Sequence, residues 1–207
     1  MISKNPRRVW LLAAILTGSA IHAWATNIVS DPSFESGTPN SYTGAMGDGW
    51  VVTAGTGAIC NDITFAGCGD AGSGHTGNQM AFLDWSNTLD TTTQTLTTVM
   101  GQYYTISYWV AGSEANFLEV TFSGSTLFDG TSPTGGVGSP SDYVEYTFNA
   151  TATSTSTVLA FSGQRTVSGE ILVDDVSVTA VPEPTPWLLT AASLLGLGAL
   201  RFKLRRS

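Results

Sequence analysis

An all-β fold, two antiparallel sheets packed face to face as a sandwich, is predicted from three observations. Across the central chain apolar residues alternate at period two in short runs, no stretch repeats at helical spacing, and Gly, Ser, Asn, Asp and Pro separate the runs. Strands in such number, with no helices between them to carry parallel crossovers, pair antiparallel and bury one face each.

The strands are read in order as residues 27–29, 50–54, 79–83, 91–99, 103–110, 117–122, 143–149, 157–161 and 171–179, with threonine supplying strand propensity. In the run 103–110, Tyr104, Ile106, Tyr108 and Val110 take one face and Tyr103, Thr105, Ser107 and Trp109 the other. Leu118, Val120 and Phe122 alternate with Phe117, Glu119 and Thr121, and Val144, Tyr146 and Phe148 alternate with Tyr143, Glu145, Thr147 and Asn149. Trp50, entering a strand after Gly49, reads as a core anchor. On the last strand Leu172, Asp174, Val176 and Val178 share a face, so inward valines bring Asp174 inward and turn Asp175 to solvent. Residues 123–141, rich in Gly, Ser and Pro, read as an excursion between strands, and there is no internal repeat.

The two ends are of another kind. Lys4, Arg7 and Arg8 precede an apolar stretch from Val9 to Ile21, and Ala23-Trp24-Ala25 offers small residues where a signal peptidase cuts, between Ala25 and Thr26. An uncleaved N-terminal anchor is the alternative. After Ala180, Pro182, Pro184 and Pro186 withhold backbone donors and end the globular part. Trp187 to Leu200 is apolar, and Arg201, Lys203, Arg205 and Arg206 follow. This tail reads as a short transmembrane helix whose basic end stays on the cytoplasmic side and whose preceding body lies outside. The organisation is thus a signal peptide, 1–25, one sandwich domain, 26–180, and a tail, 181–207, with the body exported.

Of the eight Lys and Arg only Arg165 lies in the body, against fifteen of the sixteen Asp and Glu, so the body carries a formal −14 where the whole chain carries −8. Such a field repels nucleic acid, which is excluded as a partner, and anionic lipid headgroups, and it favours cations such as calcium. Cys60 and Cys68 are the only cysteines and fall in a Gly-rich, loop-like stretch, where an oxidising compartment favours a local disulfide. Zinc held by both and His75 is the alternative, at a spacing that matches no common zinc motif.

The order Pro182-Glu183-Pro184, apolar helix and basic end resembles the PEP-CTERM sorting signal of bacterial exported proteins across residues 182–206. The resemblance implies processing near the motif by an exosortase, a membrane-embedded cysteine transpeptidase, and a link to extracellular polysaccharide or biofilm matrix. An ordinary C-terminal anchor on a proline-rich stalk is the alternative.

A second resemblance covers most of the body. Asn27-Ile28-Val29, Ser33-Phe34-Glu35-Ser36-Gly37, Gly49-Trp50, Gln94-Thr95-Leu96, the run from Gly101 to Val110, and Ile171-Leu172-Val173-Asp174-Asp175-Val176 stand in an order similar to carbohydrate-binding modules of the galactose-binding-like jelly-roll type. That family often joins its first loop to its last strand through a structural calcium ion, and the matching positions are Glu35 and Asp174. Hydrogen bonds from the backbone to Asp174, with no ion, are the alternative. Sugar platforms in such modules are exposed aromatic rings, for which Trp85, Tyr103 and Trp109 stand here; a place in the core is the alternative for Tyr103 and Trp109, depending on which face of their strand is buried.

Support for catalysis is thin. His75 is the only histidine of the mature body, read as a mobile surface residue, and no Gly-x-Ser-x-Gly elbow is present. Any two of Glu114, Glu119, Glu145 and Glu170 make a nominal carboxylate pair in so acidic a chain. A non-enzyme is expected, binding extracellular polysaccharide. A structural surface protein without small ligand is the alternative, and a polysaccharide-acting enzyme the third.

Overall fold

The computed structural model describes residues 26–38, 46–61, 73–83 and 87–182. Its strands are β1 (Trp50–Ala54), β2 (Ala58–Asn61), β3 (Gln79–Phe82), β4 (Asp90–Thr97), β5 (Tyr103–Gly112), β6 (Phe117–Phe122), β7 (Ser125–Thr131), β8 (Val144–Thr151), β9 (Ser156–Gln164) and β10 (Ile171–Ala180). They form two five-stranded antiparallel sheets, ordered β1-β4-β9-β6-β7 and β2-β3-β10-β5-β8. The only helix among the described residues is the 3-10 turn Pro140–Asp142, and none there is long and apolar enough to cross a membrane. The signal segment through Ala25, Cys68, Trp85, and Glu183 and Pro184 of the proline motif lie outside the described residues.

The period-two faces form the core. Tyr104, Ile106, Tyr108 and Val110 of β5 are buried against Leu118, Val120 and Phe122 of β6 and Leu159 and Phe161 of β9. Trp50 is fully buried, packs on Phe34 and Phe161, and donates its indole N–H to the Asp31 carbonyl at 3.0 Å. That bond satisfies the ring's one polar atom, as a buried Trp requires. Tyr108 meets Phe161 edge-on and stacks with Tyr146 of the edge strand β8. Its enclosed hydroxyl finds no partner among the described residues, and burial holds its pKa well above the usual phenol range.

Four elements depart from the sequence reading. Residues 123–141 contain β7, paired with β6 through a two-residue turn in which Ser123 (φ +56°) and Gly124 (φ +74°) are both left-handed. This is the backbone that lets a hairpin keep its twist. Cys60 lies in β2, opposite Met80 of β3, rather than in a loop. Residues 27–29 make a single bridge, Asn27 to Thr179, with the Asn27 amide bonding Val176 O and Val178 N beside β10.

The phase of β10 also differs. Asp174 pairs with Trp109 but Ser177 with Ser107, so Asp175 and Val176 together oppose Tyr108 in a β-bulge, with Asp175 at φ +46°. An extra residue reverses the in–out alternation beyond it. Ile171, Val173, Val176 and Val178 therefore face the core, while Leu172 joins a second apolar cluster on the sheet's other face. Asp174 lies on that other face, beside Trp109, and not with the valines.

Candidate functional site

The bulge puts two adjacent carboxylates under the loop that enters β3. Asp174 is completely enclosed. Its Oδ2 accepts the backbone N–H of His75 (2.8 Å) and of Thr76 (3.1 Å), and its Oδ1 accepts that of Asp175 (2.7 Å). Burial, then the charge of Asp175, push its pKa up to about 7 against these three N–H groups.

Asp175 is half-buried rather than solvated. Its Oδ1 accepts the hydroxyls of Ser33 (2.6 Å) and Thr76 (2.5 Å), and its Oδ2 faces His75 Nδ1 at 2.5 Å. Burial pushes its carboxyl up, but these hydroxyls and the imidazole outweigh it, and the pKa falls below the ordinary value. His75 is accordingly held, not mobile. Its ring lies on Trp109, centroids 3.9 Å apart and 15° from parallel, with Tyr143 tilted at 5.5 Å. Tyr143 donates its hydroxyl to Ser73 O at 3.1 Å, and its pKa is raised by burial first and by the Asp174, Asp175 and Asp142 charges after it.

Glu35 grips the same loop from the N-terminal side. Its Oε1 accepts the N–H of Asn78 (2.6 Å) and of Gln79 (2.7 Å). Gly77, at φ +66°, lets it in: a Cβ there would come within 2.2 Å of Oε1. The two acids matched to a calcium site thus meet one loop, and amides occupy the carboxylate lobes that face it.

The same loop also offers oxygens. The space a Cβ on Gly74 would fill is lined by Thr76 O at 3.0 Å, Gln79 O at 3.2 Å and Asp174 Oδ2 at 3.4 Å. Three hard oxygens around one cradle fit the donor preference of calcium. Among the described residues no group of three His, Cys, Asp or Glu is placed to hold a metal, so carbonyls must complete any shell. No described cysteine is free.

The aromatic candidates separate. Tyr103 and Trp109 lie on one face of β5, as expected, but six residues apart, roughly 20 Å along the strand. Tyr103 is exposed and Trp109 half-buried beneath His75. Nothing in the sequence announced the cluster of Ser33, His75, Thr76, Trp109, Tyr143 and Asp175, whose members come from five distant segments.

No family model and no curated protein sequence matches the chain. Among solved structures, it is similar to a carbohydrate-binding module, CBM61, determined with β-1,4-galactotriose, at a TM-score of 0.51 and 11% identity. That match covers 76% of this chain and 100% of the module. It is also similar to the CBM22-1 and GH10 modules of Clostridium thermocellum xylanase 10B complexed with xylohexaose, at a TM-score of 0.50 and 15% identity, over 78% of this chain and 30% of that one. The body therefore has the jelly-roll sandwich fold of carbohydrate-binding modules.

Proposed function

We propose that this chain is an exported surface or extracellular-matrix protein whose sandwich, residues 26–180, associates with extracellular polysaccharide without acting on it. In this reading a signal peptidase cleaves between Ala25 and Thr26, and an exosortase recognises Pro182-Glu183-Pro184 and the helix and basic cluster behind it. The observation that carries the sugar-binding part is the fold shared along the whole length of a galactotriose-binding module. The charge of the body narrows the class, because a formal −14 repels acidic polymers, leaving neutral glycans.

Calcium belongs to the same reading. Glu35 and Asp174, with the carbonyls of Thr76 and Gln79, would hold it, tying the first loop and last strand through the 73–79 loop. When bound it would supply a structural cross-link and no chemistry. The disulfide between Cys60 and Cys68 would close the segment just before that loop.

A glycan array probed with the secreted chain tests the proposal. Retention on neutral β-linked glycans that persists in 0.5 M salt, about five times the ionic strength that sets a ~10 Å Debye length, is expected. Retention on none favours the second reading, a structural surface protein. One observation favours that reading: the His75 ring covers a face of Trp109 that an open sugar platform would need.

A further inference from the structure

Within residues 26–182 the acidic body has one end without charge, and Glu183 follows directly where the chain leaves that end. The runs 91–113, 120–128, 146–164 and 176–182 contain no Asp, Glu, Lys or Arg. Antiparallel pairing brings their turns together, because Thr98 N donates to Thr155 O, Gly101 N to Ala152 O, Ser123 N to Val158 O and Val181 N to Tyr103 O. Asp90, Glu114, Glu145, Arg165 and Glu170 all lie toward the opposite end, where β4, β8 and β10 begin and β5 and β9 finish.

The uncharged end is also apolar at its tip. Val99 and Met100 are 64% and 69% exposed, the highest values among the exposed large hydrophobics of the described residues, and Tyr103 is 47% exposed beside them. They are not on a loose loop. Gln102 N donates to Val99 O across a turn whose third residue, Gly101, stands at φ +83°, and Val99 N donates to the Tyr104 hydroxyl. A shallow hydroxyl-lined depression of about 380 Å³ lies alongside, between Ser123 and Ser156.

The chain leaves the sandwich at this tip. Val181 is fixed there by its own N–H to Tyr103 O (2.8 Å) and by Gln102 Nε2 to its carbonyl (2.7 Å). From Pro182 to Trp187, where the apolar run starts, is five residues, a reach of roughly 15 Å at the ~3.1 Å per residue of an extended proline-rich chain. The sandwich is about twice as long, since ten-residue β10 spans roughly 33 Å. The tether is therefore too short to bring the acidic end to the membrane that would hold the tail.

We propose that the tip formed by the 98–103 turn rests in the headgroup–acyl boundary of that bilayer before the tail is processed, with Met100 and Val99 inserted and Tyr103 at headgroup level. The proposal rests on the reading of the tail, with its apolar run from Trp187 to Leu200, as a membrane span. Apolar side chains in a rigid, uncharged turn, an interfacial tyrosine and neighbouring Ser and Thr hydroxyls match the layered polarity of that boundary. The occupant is lipid rather than a second copy because the exit of the chain fixes which end faces the bilayer, whatever else is bound. Tyr103 is then a lipid contact and not part of a sugar platform.

The test uses the full chain in phosphatidylcholine vesicles, with photo-crosslinking benzoylphenylalanine placed singly at Met100, at Val167 or at Leu194. Val167 is the matched control, 50% exposed but between β9 and β10 at the acidic end. Lipid adducts are expected at 194 and 100, with position 100 at least fivefold above 167. Adducts at 194 with equal yields at 100 and 167 overturn the proposal while leaving the anchor in place. A protein–protein adduct at 100 overturns it in favour of a second copy. Absence of lipid adducts at 194 overturns the anchor reading and this proposal with it.

Discussion

The His75 imidazole lies flat on the Trp109 indole, 3.9 Å between centroids, while its Nδ1 meets Asp175 at 2.5 Å. One side chain thus closes a tryptophan face and pins the loop before β3 to the bulge in β10. His75→Ala should remove a stacked pair and a charge-assisted contact, lowering stability by about 1–2 kcal/mol, and shift Trp109 emission to the red as water reaches it. Chemical denaturation and fluorescence read both effects, and an unshifted emission would mean that the ring is already wet.

Calcium should raise Tm more than sodium does at matched ionic strength, since screening relieves repulsion without filling a site. At a hundred times its dissociation constant the ion adds about 2.7 kcal/mol. Asp174→Asn should abolish that increment, whereas Asp129→Asn, an exposed acid on β7, should leave it. Asp175→Asn is a poor control because its carboxylate holds Ser33, Thr76 and His75. Equal shifts with the two salts would return Asp174 to its hydrogen-bonded role.

With calcium chelated, Asp174 sets a pH dependence of definite sign. Its pKa stands at about 7 in the folded chain against 3.8 for the free side chain, so the folded state binds the proton more tightly. Its stabilising contribution is full below pH 3.8 and is lost as pH rises through about 7. Asp175, shifted the other way, loses its contribution only as pH falls below the ordinary carboxyl value. The stability of the wild type relative to Asp174→Asn should therefore fall between about pH 4 and pH 8. A pH-independent difference counts against the raised value.

Thiol labelling of unreduced, denatured exported protein is expected to find neither Cys60 nor Cys68, the cross-link contributing about 2 to 3 kcal/mol in the chain-entropy model. Labelling of both cysteines would leave Cys60 a plain core residue of β2.

Intact mass of the protein from culture supernatant should correspond to a chain that begins at Thr26 and lacks the segment behind the proline motif. A mass retaining Trp187 to Ser207 would replace sorting with a permanent anchor.

The strands with unbroken alternation, β5, β6 and β8, were legible because burial of one face writes itself directly into a period of two. β2 was not, since its Cys60 runs into the Gly-rich stretch that follows and reads as loop with it, and neither was β7, whose Ser, Gly and Asp look like loop until the Ser123–Gly124 turn is seen. The position of Asp174 on the last strand was legible, but its direction was not. The bulge that redirects it uses Asp175 at φ +46° where glycine would have been a signal. The partnership of His75 with Asp175 spans a hundred residues of chain and leaves no spacing to read.

The last strand has a mechanical consequence. β10 is flanked by β5 along its length on one side and by β3 and the Asn27 segment on the other, and it runs straight into the tail. A load applied at Ala180 along the strand axis acts at right angles to the antiparallel hydrogen bonds on both sides. Those bonds are then loaded together in shear, not peeled one after another, so the whole central ladder resists at once.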